Sequence, residues 1–235
     1  MVKKLLGLVA VVVLVLIGVG VWYFVIRDDS VEKATTECDP APCEESTVES
    51  VDGSWAVVPD DSESTLAITE TIGGIADHEV EGHTAVAGTL EIAGSSVTEA
   101  TFTADMTTLE FIDAPPGFDV ANRANAMKTT GLETEAFPEA TFTLTAPIEL
   151  GEDLTTGAAA TATAEATGDL TLHGVTKPIT FAVEIAADGD TFRVTPTEFI
   201  PIALADYDMA VQAPGFVADI SDQGSFDFLL VFAQA

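Results

Sequence analysis

The chain has 235 residues, and its 8 lysines and arginines stand against 39 aspartates and glutamates, a formal net charge of −31. From residue 28 onward the balance is 5 basic against 39 acidic, −34 by subtraction, which excludes a nucleic-acid binder, since counterion release needs clustered Lys and Arg. It also argues against docking of that part onto anionic lipid headgroups, while an apolar share of 47% excludes a chain disordered throughout.

Leu5 to Ile26 carries no charge. Its 22 residues would span roughly 33 Å as a helix, enough for a bilayer core of about 30 Å. The stretch ends near Trp22, Tyr23 and Phe24, aromatics suited to a membrane interface. A cleaved signal peptide has a shorter apolar region, about 7–15 residues, ending in small residues. Residues 1–27 therefore read as an uncleaved transmembrane signal anchor. Lys3 and Lys4 precede it, whereas Arg27 is followed at once by Asp28 and Asp29. The positive-inside rule puts the N-terminus in the cytoplasm and the rest outside, in a single-pass protein of the cytoplasmic membrane.

Residues 28–52 are acidic, polar and Pro-containing, as expected of a flexible tether. Cys38 and Cys43 lie within it; outside the cytoplasm a small disulfide loop is the expected use. A metal or redox site is disfavoured, because acidic neighbours raise a thiol's pKa and no nearby His completes a ligand set.

Residues 53–235 change character. Thr101–Met106, Thr141–Thr145, Asp169–Leu172, Ile179–Ile185 and Phe226–Leu230 alternate polar and apolar residues, the period of strands with one wet face. Turn signals separate them, including Ala93–Ser96, His173-Gly174 and Asp188–Asp190. The expectation is an all-β fold of antiparallel hairpins, in a sandwich or a barrel of about eight strands. Ala121–Lys128 breaks the alternation and reads as a short helix. The Ala/Thr run Ala158–Thr167 reads as the solvated start of the strand ending at Leu172.

Candidate chemistry is sparse. His78 and His83 lie among Asp77, Glu79 and Glu81, but the spacing fits no standard zinc motif. His173 beside Gly174 reads as a turn residue. There is no Gly-x-Ser-x-Gly elbow and no phosphate-cradling glycine loop. The expectation is a protein that is not an enzyme and uses no metal or other cofactor. Arg123, one of two arginines beyond residue 52, either pairs with a carboxylate or closes a pocket mouth and meets a ligand's polar head. A barrel of this size either fills its interior or holds one small ligand. Small residues at Ala87, Ala100, Ala104, Ala146, Ala162, Ala164 and Ala166 favour room inside.

Several stretches resemble the YceI-like family. Trp55 with Val57–Ser64 resembles its opening strand, and Glu79–Thr84 with Val86–Leu90 its next hairpin. Asn122-Arg123 and Phe137–Phe142 resemble its Arg-containing segment and aromatic-Pro strand. Thr167–Pro178 matches its hairpin almost letter for letter. The resemblance runs from about Trp55 to the C-terminus. It implies a lipocalin-like barrel with no catalytic activity, holding a polyisoprenoid or similar amphiphile inside. Ala124 and Ala126 stand where many members have Asp and His, which implies a different headgroup or none. The ligand expected is an isoprenoid quinone, polyprenol or fatty-acid-like lipid, bound, stored or carried at the outer membrane face. Alternation places Phe102, Met106, Met127, Leu132, Phe142, Leu144, Leu170, Phe181, Phe199, Tyr207 and Phe228 on the lining, with Arg123 at the head. The alternative is a solidly packed interaction or envelope-stress module with no small ligand.

Overall fold

A computed structural model describes residues 51–72, 77–112, 119–151, 154, 160–188, 190–210 and 217–235. The proposed anchor 1–27, nearly all of the tether 28–52, and Cys38 and Cys43 lie outside them. Among the described residues no helix is long and apolar enough to cross a membrane.

Eleven strands form one antiparallel sheet. They are β1 (Gly53–Val57), β2 (Glu63–Ile72), β3 (Asp77–Ala93), β4 (Ser96–Phe111), β5 (Glu139–Leu144), β6 (Ile148–Glu149), β7 (Ala160–Leu172), β8 (Val175–Asp188), β9 (Thr191–Pro196), β10 (Ile200–Ala203) and β11 (Val217–Gln234). Eight of them close a ring in the order β2-β11-β9-β8-β7-β5-β4-β3, because β3 pairs with both β2 and β4. Closure leaves no long unpaired edge. β1 bridges β3 and β11 at one end, β6 caps β4, and β10 pairs with β11.

Alternation in the sequence becomes an inside and an outside. On β8, Val183 and Ile185 are buried while Thr180, Ala182 and Glu184 are exposed. The β7–β8 hairpin turns through His173 (φ 51°) and Gly174 (φ 74°), between the paired Leu172 and Val175. Two positive φ values match a type I′ turn, whose twist suits the flanking strands. Threonines tie the outer face across strands, with Oγ1 separations of 2.8 Å for Thr171–Thr176 and 2.9 Å for Thr167–Thr180. The Ala/Thr run is not solvated on both sides. In β7, Thr161, Thr163 and Glu165 face water, but Ala160, Ala162 and Ala164 pack against the core.

The two ends differ. At one, hairpins and β1 enclose a dense core in which Trp55 meets Phe192 edge-on, ring centroids 4.6 Å apart. Trp55 Nε1 donates to the Val51 carbonyl at 2.9 Å, and Leu154 and Phe232 are also sealed there. At the other end helix α1 (Val120–Ala126) leads from β4 towards β5. Asp119 caps it by accepting from the Asn122 N–H at 2.9 Å, and it widens into a π turn at Met127–Gly131. The expected helix over Ala121–Lys128 is thus present.

Two inward glycines let aromatic rings lie along the wall. A Cβ on Gly88 would come 2.5 Å from a Phe102 ring carbon and 2.4 Å from the Thr101 carbonyl. One on Gly168 would come 2.4 Å from both Phe142 Cζ and the Thr143 carbonyl. Because backbone blocks the second approach, the ring cannot simply rotate away. Gly168→Ala should destabilise the domain by about 1–3 kcal/mol, the range for overpacking. A urea midpoint unchanged from the parent would contradict this.

Candidate functional site

Inside the ring lies a cavity of about 200 Å³. On β4 alone its wall runs from Val97 to Leu109. At about 3.3 Å per residue that is about 40 Å of strand, or about 30 Å along the axis of a barrel tilted 35–45°. The space is long and slender. Among the described residues its lining has no charged side chain, and Ser64 and Ser225 are the only hydroxyl-bearing ones. Cavities lined by Leu, Ile and Phe stay dry and take apolar guests.

The wall includes Phe102, Met106, Met127, Leu132, Phe142, Leu144, Leu170, Phe181 and Phe228. Six phenylalanines form its aromatic belt. Phe142 and Phe181 lie 5.3 Å apart, Phe181 and Phe226 6.3 Å, and Phe181 and Phe228 5.9 Å, while Phe102 leans on Phe232 at 5.7 Å. Phe102, Phe142, Phe181, Phe226 and Phe228 are only partly buried although they point inward. Ala100, Ala104 and Ala166 also line the space. The other small residues do not: Ala162 and Ala164 pack into the sealed end, and Ala87 and Ala146 are exposed.

Three expected lining residues lie elsewhere. Phe199 is 47% exposed. Phe192, Val194, Ile200 and Ile202 keep one inward phase across the bend at Thr197 and Glu198, so Phe199 falls on the outward phase with the exposed Arg193. Tyr207 is buried behind the wall with Leu170, Ile202 and Met209. Arg123 is also off the wall. It is buried, and its Nη2 donates to Glu70 Oε2 on β2. Of the two readings of Arg123, the geometry favours the carboxylate pair, which fastens α1 to the strands.

Leu66, Ile68, Ile202, Leu204 and Met209 are lining residues that sequence reasoning missed. Leu66 and Ile68 alternate with Ala67 on β2 and were legible in principle. Leu204 and Met209 flank an irregular turn, where no periodicity exists to read.

The histidines serve the walls. His83 Nδ1 lies 2.7 Å from Glu63 Oε2 across the β2–β3 pair. His173 Nε2 lies 3.1 Å from Glu133 Oε2, and its ring rests on Phe137 with centroids 4.0 Å apart. Among the described residues no three His, Cys, Asp or Glu side chains are grouped to hold a metal.

Removing one member of the Arg123–Glu70 pair leaves a buried charge uncompensated, at a cost of about 3–5 kcal/mol. Glu70→Ala should lower the urea midpoint accordingly, and the double variant Arg123→Met/Glu70→Leu should recover most of the loss. Equal stability of the single variant and the parent would contradict the clamp. Burial, and secondarily the Asp206 carboxylate, raises the Tyr207 phenol above its ordinary value of 10.0. The neutral phenol is favoured in the fold, so its contribution is intact below about pH 10 and lost as pH rises through the raised value. The parent should therefore lose stability above pH 10 more steeply than Tyr207→Phe. Parallel alkaline stability curves would contradict it.

The YceI-like domain family matches residues 55–232. A UPF0312 protein of Pseudomonas putida (strain W619) is 45% identical over 58 residues, 25% of this chain and 26% of that protein. Protein YceI of Escherichia coli O17:K52:H18 is 42% identical over 59 residues, again 25% and 26%. The aligned stretch thus spans about a quarter of these relatives. Among solved structures, a polyisoprenoid binding domain from Saccharophagus degradans, implicated in plant cell wall breakdown, is similar with a TM-score of 0.62 at 18% identity, covering 77% of this chain and 98% of that one. BcnA of Burkholderia cenocepacia is similar with a TM-score of 0.54 at 17% identity, covering 74% and 98%. These structures share the fold. With a family match from Trp55 to Phe232 and a closed eight-stranded barrel beneath it, the chain belongs to the YceI-like family.

Proposed function

We propose that the domain binds, stores or carries a long apolar lipid within the barrel, without catalysis, at the extracytoplasmic face of the membrane that residues 1–27 anchor it to. The observation carrying this reading is the cavity itself: a long lumen with no charged side chain on its wall among the described residues. An isoprenoid chain has almost no polar atoms, so it needs apolar area rather than specific contacts. Burying about 400 Å² of it offers roughly 10 kcal/mol before association costs. The polyisoprenoid-binding description of the Saccharophagus degradans domain, whose fold is similar, supports the same class of ligand. The solidly packed alternative, a ligand-free interaction module, has the cavity against it.

Filling the lumen tests the reading. Ala104 and Ala166 face the cavity, so Ala104→Phe/Ala166→Phe should abolish co-elution of a long-chain isoprenoid quinone with the full-length protein on gel filtration. The far-UV circular dichroism should stay that of a β protein. Undiminished quinone uptake by the folded double variant would refute binding inside the barrel.

A further inference from the structure

Resting on the lipid-cavity reading, we infer that the lumen selects lipids with a neutral, hydrogen-bonding head and seats that head inside the barrel at Ser64, excluding phosphates and carboxylates. The first observation is where the cations are. Four basic residues fall in the described part, and none lines the cavity. Arg123 is engaged with Glu70. Lys128 Nζ donates to the Thr107 carbonyl at 3.3 Å, and Lys177 Nζ meets Asp206 at 2.8 Å. Arg193 is exposed on β9. Nor does α1 offer an anion site, being seven residues long and capped by the Asp119 carboxylate. An anionic head drawn into this lumen would lose its water with no countercharge, the most costly form of burial. The acidic exterior, 5 basic against 39 acidic residues beyond residue 27, repels the same heads before entry.

The second observation is one hydroxyl. Ser64 is 9% exposed, lines the cavity, and pairs across the sheet with Phe228 and Thr84. Its carbonyl accepts from Thr84 Oγ1 at 3.5 Å, but its own Oγ has no hydrogen-bond partner among the described residues. Ser225 also lines the cavity, but it pairs with exposed Pro201 as well as buried Ala67 and is less buried than Ser64. Ser64 is therefore the more buried of the two hydroxyls offered to a guest, paired across the sheet with Phe228, whose ring lies 5.9 Å from that of Phe181. A rotatable hydroxyl donates to a quinone carbonyl or exchanges a hydrogen bond with an alcohol. The flanking rings suit the flat face of a quinone.

The test uses native mass spectrometry of the detergent-solubilised full chain with four C20 probes. These are geranylgeraniol, a naphthoquinone bearing the same tail, geranylgeranyl phosphate, and the headless alkane phytane. The phosphate should bind at least 100-fold more weakly than the alcohol. Ser64→Ala should weaken the alcohol and the quinone about 5-fold, the worth of one hydrogen bond, and leave phytane unchanged. Phosphate binding within threefold of the alcohol overturns the inference, as does a Ser64→Ala effect that is equal for phytane and the headed probes, or absent from all. Those results leave the lipid-cavity reading standing. Failure to take up any probe, phytane included, overturns that reading and this one together.

Discussion

Everything in this domain depends on closing eight strands into a ring that is not then filled. Closure commits every second residue of each strand to the interior and leaves no long edge for another chain to extend. A closed ring of this size either fills with its own side chains or holds one small ligand. Here the glycines at 88 and 168 let Phe102 and Phe142 lie along the wall, and Ala100, Ala104 and Ala166 hold open the space between. The lumen is thus a consequence of where small residues fall within the alternation.

The ends divide the work. The Trp55, Phe192 and Phe232 cluster seals one end with fully packed apolar groups and supplies rigidity. The other is built from a short helix, a π turn and irregular loops, held by a buried Arg123–Glu70 pair and by His173 resting on Phe137. Dense packing at one end and polar fastenings at the other make the helical end the part able to loosen, since local stability follows apolar contact density.

Most of the architecture was legible because period-two alternation has one physical meaning. The strand placements and the His173-Gly174 turn follow from it, and seven of the expected residues, on β4, β5, β7, β8 and β11, lie on the cavity wall. The failures are local. Phe199 is outward because the even positions Phe192, Val194, Ile200 and Ile202 hold the inward phase on both sides of it. Tyr207, Leu204 and Met209 sit in or beside a turn with no period at all. Arg123 was visible as an isolated cation, yet its partner Glu70 is 53 residues away and was one of 39 acidic residues. Pairing over that distance is a fact of topology. The hollow itself was not legible, because the same apolar inventory fills a barrel or lines one.

The acidity now has a location. Among the described residues only the Arg123–Glu70 pair buries its charges, and the lumen wall carries none. The central claim is that this lumen is occupied by an apolar lipid in the cell. Native mass spectrometry of the full chain purified from its own membranes tests it most directly. The account predicts one lipid of discrete mass per barrel, released only on unfolding. A barrel that emerges empty, and stays empty when offered quinones and polyprenols, would contradict it.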